Sequence, residues 1–202
     1  MPISNALRTA RYLKSVHELH QLPPDDSREV AIAGRSNAGK SSAINAICDQ
    51  NGLARTSKTP GRTQQLVYFE VVPQRFLVDL PGYGYAKVPP GLRDHWRGLI
   101  EAFFRTRASL QGLVVVMDVR HPLRDFDLQM LDYGRARGLA CHCLLTKADK
   151  LPRGQAARAL QDVRKAVGEG VGVQLFSATS HQGVEEARAV LAGWLELGSV
   201  GA

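Results

Sequence analysis

Gly34-Arg35-Ser36-Asn37-Ala38-Gly39-Lys40-Ser41 is the stretch that decides the fold. It reads G-x-x-x-x-G-K-S, the P-loop pattern. An apolar run, Val30-Ala31-Ile32-Ala33, precedes it, and a helix-like run, Ser42-Ala43-Ile44-Asn45-Ala46-Ile47, follows it. The pattern needs that order of strand, loop and helix. Backbone N–H groups must turn inward around an anionic phosphate chain, and a side chain at the tight positions would block the approach. The helix that follows adds unpaired N–H groups and the positive end of its dipole. Lys40 offers a flexible cation for the outer phosphates, and the Ser41 hydroxyl can bind Mg²⁺. The competing reading is an ordinary glycine-rich turn before a helix, and both flanks argue against it.

Outward from this loop, helical spacing is read over Asn5–His20, where Ala10, Leu13, Val16 and Leu19 recur at steps of three. Val30–Ala33 is a strand and Ser41–Cys48 opens a helix. Leu66–Val72 and Phe76–Leu80, separated by Pro73-Gln74, predict a hairpin. Pro81–Gly91, with three Gly and three Pro, reads as a loop. Helices are expected over Leu92–Arg107, Asp125–Arg137, Gly154–Val167 and Gly183–Leu197. They alternate with strands at Leu113–Met117, Ala140–Leu145 and Gly172–Phe176. Six strands and intervening helices give an α/β sheet with helices on both faces and right-handed crossovers. Residues 1–28 read as an N-terminal helical extension, and 29–198 as one domain around the loop.

The 202 residues are 44% hydrophobic and 22% charged, an ordinary globular balance. A formal charge of +7 suits an acidic partner such as RNA, although part of the surplus can serve a nucleotide. Cys48, Cys141 and Cys143 are an odd set without a disulfide framework. Cys141-His142-Cys143 lacks zinc spacing and reads as small buried residues on a strand. No apolar run is long enough to span a bilayer, so a cytoplasmic protein without a membrane partner is expected.

Three further segments fall at predicted strand ends, where ligands of such sheets gather. Asp79-Leu80-Pro81-Gly82 can place a carboxylate near Mg²⁺ and a glycine N–H near a terminal phosphate, or can be an Asp-capped turn. Thr146-Lys147-Ala148-Asp149 offers a carboxylate able to accept two N–H bonds from a guanine edge. Adenine would leave that carboxylate unpaired. Ser177-Ala178-Thr179 can bring a backbone N–H to the guanine carbonyl.

Taken together, GRSNAGKS, DLPG, TKAD and SAT resemble the translation-factor-like P-loop GTPases. Leu53-Ala54-Arg55-Thr56-Ser57-Lys58-Thr59-Pro60-Gly61-Arg62-Thr63-Gln64 and Asp79-Leu80-Pro81-Gly82-Tyr83-Gly84-Tyr85-Ala86-Lys87-Val88 look more closely like the EngB (YihA/YsxC) family of bacterial GTP-binding proteins. The resemblance covers nearly the whole chain. It implies a Ras-like fold with a mostly parallel six-stranded sheet and one antiparallel strand. It also implies GTP hydrolysis with Mg²⁺, and a part in assembling the large (50S) ribosomal subunit and in normal cell division and septation. By motif, Gly34, Arg35, Ser36, Asn37, Ala38, Gly39, Lys40 and Ser41 would hold phosphates. Gly61, Arg62, Thr63, Gln64 and Gln65 would lie in the first switch, and Asp79, Leu80, Pro81 and Gly82 would open the second. Thr146, Lys147, Ala148 and Asp149 would read the base, and Ser177, Ala178 and Thr179 would close over it. Ser41, Thr63 and Asp79 are the expected metal ligands; Lys40, Thr63, Gly82 and Asn37 are the expected catalytic groups.

Two departures from the Ras-type pattern bear on rate and affinity. Tyr83 stands where many switch proteins carry the Gln that orients water, so slow hydrolysis is expected. Thr146 stands where Asn is common. The resemblance to related GTPases implies that Asn37 helps hold K⁺ against the phosphates; the alternative is an Asn that simply tolerates an unusual loop dihedral. Three function classes remain open: a GTP hydrolase acting on the ribosome or its rRNA, a non-hydrolysing GTP-dependent RNA-binding module, and a small-molecule kinase. The kinase lacks an obvious lid. A monomer is expected.

Overall fold

A computed structural model describes residues 6–54, 65–82 and 90–198, with the side chains at 90, 92, 93 and 96 outside that description. Its seven strands are β1 (Arg11–Val16), β2 (Arg28–Gly34), β3 (Leu66–Val72), β4 (Arg75–Asp79), β5 (Leu110–Asp118), β6 (Ala140–Thr146) and β7 (Val171–Leu175). The α-helices among the described residues are α1 (Lys40–Cys48), α2 (Pro90–Thr106), α3 (Asp125–Ala136), α4 (Arg153–Val167) and α5 (Val184–Trp194). The strands lie in the order β1-β3-β4-β2-β5-β6-β7. β3 runs antiparallel to both β1 and β4, and every other neighbouring pair is parallel. The sheet is the expected Ras-like α/β arrangement, with β3 as the single antiparallel strand among the described residues.

Alternation along the central strands sorts side chains into two cores. Ala31 and Ala33 of β2, with Leu113, Val115 and Met117 of β5, face a layer containing Phe103 and Phe104 of α2, Met130 and Leu131 of α3, and Val163 of α4. Val30, Ile32, Val114 and Val116 face the other layer, with Ile44 and Ile47 of α1 and Ala187 and Leu191 of α5. Strands buried on both faces read as unbroken apolar runs, which is why Leu113–Met117 was legible. Cys48, Cys141 and Cys143 are free and buried, as expected of small core residues. Burial pushes the Cys143 thiol up to about 12.

The N-terminal segment departs from expectation. Asn5–His20 is not a helix among its described residues. It holds a short 3-10 turn at Leu7–Thr9, the edge strand β1, and a second turn at Leu19–Gln21. Among the described residues the sheet therefore has seven strands, not six. An exact step of three drifts about 60° per repeat around an α-helix, so the four apolar residues never share one face. Pairing with β3 supplies β1 with main-chain hydrogen bonds instead. Ala10 and Val16 are buried, whereas Leu13 and Leu19 are exposed. Gln50, just beyond α1, donates to the carbonyls of Arg8 (2.8 Å) and Ala10 (2.7 Å) and ties the segment down.

At the start of β2, away from the loop at its end, lies a buried ion pair. Glu29 is fully buried and accepts from Arg107 Nε at 3.1 and 3.0 Å and from the Tyr68 hydroxyl at 3.1 Å. Asp25 accepts the amides of Ala108 (2.9 Å) and Ser109 (2.7 Å) beside it. Burial demands such pairing, since an isolated carboxylate in the core would be costly.

Candidate functional site

β2 ends at Gly34, pressed against β5. A Cβ on Gly34 would lie 2.9 Å from the Val116 carbonyl oxygen, so only glycine lets the loop leave the sheet here. The Ala38 amide returns to the Arg35 carbonyl (3.0 Å), Asn37 has φ +63, and Gly39 has φ +90 before α1 begins at Lys40. This left-handed backbone at Gly39 suits glycine. It turns the loop into the N-terminal end of a helix whose first turn contains Ser41, so the local sequence dictates an anion-receptive turn.

Around the loop, the ends of four other parallel strands converge. Asp79 ends β4, and Lys40 forms an ion pair with its Oδ1; both side chains are largely buried. Burial pushes the Asp79 carboxyl up, and the Lys40 ammonium opposes that push. Gly82 lies against the loop, where a Cβ would sit 3.5 Å from the Ser36 nitrogen. Thr146 ends β6 with its hydroxyl 2.5 Å from the Ala38 carbonyl oxygen and 3.0 Å from that of Met117. Lys147, at φ +58, donates to the Asn37 carbonyl (2.6 Å) and pairs with Asp118 Oδ2 at 2.9 Å.

Beyond β7, the Ser177 hydroxyl donates to Asp149 Oδ1 at 2.7 Å and accepts the Ser180 amide at 3.1 Å. That hydrogen bond, with the Lys150 ammonium 3.0 Å from Oδ2, holds the half-buried Asp149 carboxyl below the usual carboxylate range. The Ala148 amide donates to the Phe176 carbonyl at 3.1 Å, locking the two loops together. Ala178 is half-buried and Thr179 exposed beside them. The arrangement holds an ionised carboxylate on a fixed mount, a group that can accept a pair of N–H donors from a planar ligand.

The structure thus brings Gly34–Ser41, Asp79–Gly82, Thr146–Asp149 and Ser177–Thr179 to one end of the sheet. Gln65 lies at the entry to β3 and approaches His17 Nε2 at 2.6 Å. Gly61, Arg62, Thr63, Gln64 and Tyr83 lie outside the described residues. Among the described residues no group of three or more His, Cys, Asp or Glu could hold a metal. One carboxylate and one hydroxyl fit Mg²⁺, which takes few protein oxygens and fills its shell with water and substrate phosphates.

Three participants escaped the motif reading. Asp118 is the register partner of Thr146 and carries both Lys147 and Arg120, whose guanidinium holds its carboxyl well below the usual range. Its signal was available: an Asp closing an apolar strand. Asn45, one turn beyond Ser41 on α1, clasps Ala54 from both sides. Its Nδ2 donates to the Ala54 carbonyl (3.0 Å), and the Ala54 amide donates to its Oδ1 (2.7 Å). Asp127 of α3 is buried and feels the charge of Arg35. Its Oδ1 and the Ser36 hydroxyl are the buried side-chain oxygens without a partner among the described residues.

Comparison with known proteins agrees with this geometry. A family model described as a 50S ribosome-binding GTPase matches residues 29–147. The probable GTP-binding protein EngB of Stenotrophomonas maltophilia (strain K279a) is 61% identical over 199 residues, covering 96% of this chain and 100% of its own. The protein of the same name from Xanthomonas oryzae pv. oryzae (strain PXO99A) is 60% identical, covering 96% of each. Among solved structures, a probable GTP-binding protein EngB superposes with a TM-score of 0.67 at 18% identity, over 83% of this chain and 98% of that one. Elongation factor SelB of Methanococcus maripaludis with the GTP analogue GppNHp gives 0.60 at 15%, over 84% of this chain and 34% of that one. At such identities these two superpositions establish the fold alone.

Proposed function

The chain belongs to the EngB family of GTP-binding proteins, and from that premise we propose that it is a Mg²⁺-dependent GTP hydrolase whose loops switch its hold on the large ribosomal subunit during assembly. The observation that carries the reading is the meeting, at one sheet end, of a phosphate-type loop and a fixed, ionised Asp149. The basic charge of +7 and a family named for 50S binding support the ribosomal partner, through rRNA. We extend the reading to a cytoplasmic monomer with a part in normal cell division and septation. Among the described residues no helix is long and apolar enough to cross a membrane.

In this reading the amides of Gly34–Ser41 and the Lys40 ammonium hold the phosphates. Lys40 leaves Asp79 to do so, which frees Asp79 with Ser41 and Thr63 to hold Mg²⁺. The ion supplies charge neutralisation on the outer phosphates. Asp149 accepts the guanine N–H pair, Ser177–Thr179 close over the base, and Lys147 braces the loop through Asn37. Thr146 contributes as a strut, because its hydroxyl is engaged by main-chain carbonyls. Thr63 and Gly82 close on the terminal phosphate with GTP and separate after hydrolysis. Tyr83 in the place of an amide makes turnover slow, and Asn37 provides an oxygen for K⁺ that would raise it. Equal rates in K⁺ and Na⁺ at fixed ionic strength would remove that last element.

Co-sedimentation with large subunits under GTP analogue, GDP and no nucleotide tests the switch. Association with the GTP analogue alone is expected, and equal association in all three states refutes it. Tyr83 also favours a second reading, a binding module that does not turn over; multiple-turnover phosphate release separates the two.

A further inference from the structure

β5 runs apolar from Leu113 to Met117 and then closes on a carboxylate, Asp118. Its side chain is 14% exposed, and four donors converge on it. The main-chain amide and Nε of Arg120 reach Oδ1 at 3.0 and 2.9 Å. Nη2 of Arg120 and the Lys147 ammonium reach Oδ2 at 2.6 and 2.9 Å. A carboxylate has about four acceptor positions, so these donors fill it. The Lys147 ammonium also donates to the Asn37 carbonyl at 2.6 Å. One lysine head thus joins the ends of β5 and β6 to the phosphate-type loop.

An ion pair that merely fastens two strand ends is the simplest account of this cluster. The strand ends, however, are fastened without it. Asp118 is the register partner of Thr146, and the Val119 amide donates to the Thr146 carbonyl at 3.0 Å. The main chain leaves Lys147 itself to be held. This residue has a left-handed backbone (φ +58) and caps the 3-10 turn Ala148–Lys150, which carries Asp149. Such a backbone in a lysine persists only where its surroundings hold it. Thr146 has nothing further to offer the neighbouring loop, because its hydroxyl has one proton and already meets two carbonyl oxygens. Lys40 and Asp79 form the opposite kind of pair. In the functional reading above, Lys40 leaves Asp79 for the phosphates. Asp118 is gripped on both oxygens by Arg120, stays ionised, and keeps Lys147. We propose that Asp118 is a positioning residue for nucleotide binding: it clamps the Lys147 ammonium on the Asn37 carbonyl and so sets the base-reading loop at a fixed distance from the phosphate loop. The inference rests on the reading of these loops as a guanine-nucleotide site. GDP and GTP both span the two loops, so Asp118 serves them equally and takes no part in bond breaking.

The test uses the full chain, calorimetry with GDP and a non-hydrolysable GTP analogue, and steady-state GTP turnover. Asp118→Asn keeps the shape and removes the charge. It should weaken both ligands by the same factor, about tenfold, and raise KM with kcat unchanged. Lys147→Met should weaken both as well. The double variant should bind as Lys147→Met does, since Asp118 acts only through that lysine. If Asp118→Asn loses folding, Arg120→Gln decides the matter: it keeps the carboxylate but loosens it, and should cost both ligands about threefold. The proposal falls if Asp118→Asn, or Arg120→Gln in its place, binds GDP as wild type does, even with a lowered melting temperature, which would mark a purely structural role. It also falls if the losses of Asp118→Asn and Lys147→Met multiply in the double variant, or if kcat drops with KM unchanged. Wild-type protein that binds no guanine nucleotide, or binds ADP as tightly as GDP, defeats the site reading itself and the proposal with it.

Discussion

Asp149 is where base choice is tested. Asp149→Asn exchanges one acceptor for a donor facing the guanine N–H pair. GTP affinity should fall about a hundredfold, and xanthosine nucleotides should bind better, both read by calorimetry. Asp127 carries a different liability. Burial raises its carboxyl from an ordinary 3.8 to about 6, against the lowering pull of Arg35 and Arg124, with the Cys143 thiol also close by. A raised carboxylate contributes stability that is fully present below the unfolded value and lost as pH climbs through the folded one. At pH 7.5 the folded chain therefore holds a carboxylate with one oxygen unpaired, and at pH 4.5 it holds the acid. Asp127→Asn keeps an acceptor for the Arg124 amide. It should stabilise by about 1–3 kcal/mol at pH 7.5 and little at pH 4.5, measured by thermal melts at both. Neither role is visible in composition. Asp149 was legible because TKAD is a spaced motif, whereas the strain on Asp127 depends on which helix covers it.

Helix α1 links loop to switch. Its C-terminal carbonyls are capped by Arg188 of α5, whose Nε donates to Ile47 (2.7 Å) and whose second nitrogen donates to Ala46 (3.1 Å). Arg188→Met should lower stability by about 2 kcal/mol through those two lost charge-assisted bonds, seen in urea titrations. One residue before Ala46, Asn45 fixes Ala54, the last described residue before 55–64. Asn45→Ala should lower kcat more than it raises KM, since the loop loses its root while the phosphate cradle stays. A KM rise with unchanged kcat would refute this. The strands of the central sheet could be read off the chain because burial on both faces leaves an unbroken apolar signature. β1 could not, because an edge strand gets its structure from a partner far along the sequence, and its apolar residues sat at a step that imitated a helix. Asn45 was equally hidden, since its hydrogen-bond partner lies across a bend that no local pattern announces.

Across the whole molecule, chemistry gathers at one end of the parallel strands and rigidity at the other. Glu29 and Arg107 belong to the rigid end. Arg107→Met alone strands a buried carboxylate and should cost about 3–5 kcal/mol, while Glu29→Gln with Arg107→Met should recover most of it. Chemical denaturation distinguishes the two, and nucleotide affinity should be preserved wherever the protein remains folded. The strand order has a further consequence for biosynthesis. Arg11 finds Glu70 59 positions downstream, so β1 has no place in the sheet until β3 has emerged. During translation of this chain, β1 waits in solvent with Tyr12 and Arg11 uncovered, and it can be seated only as the second half of a pairing that a later segment begins.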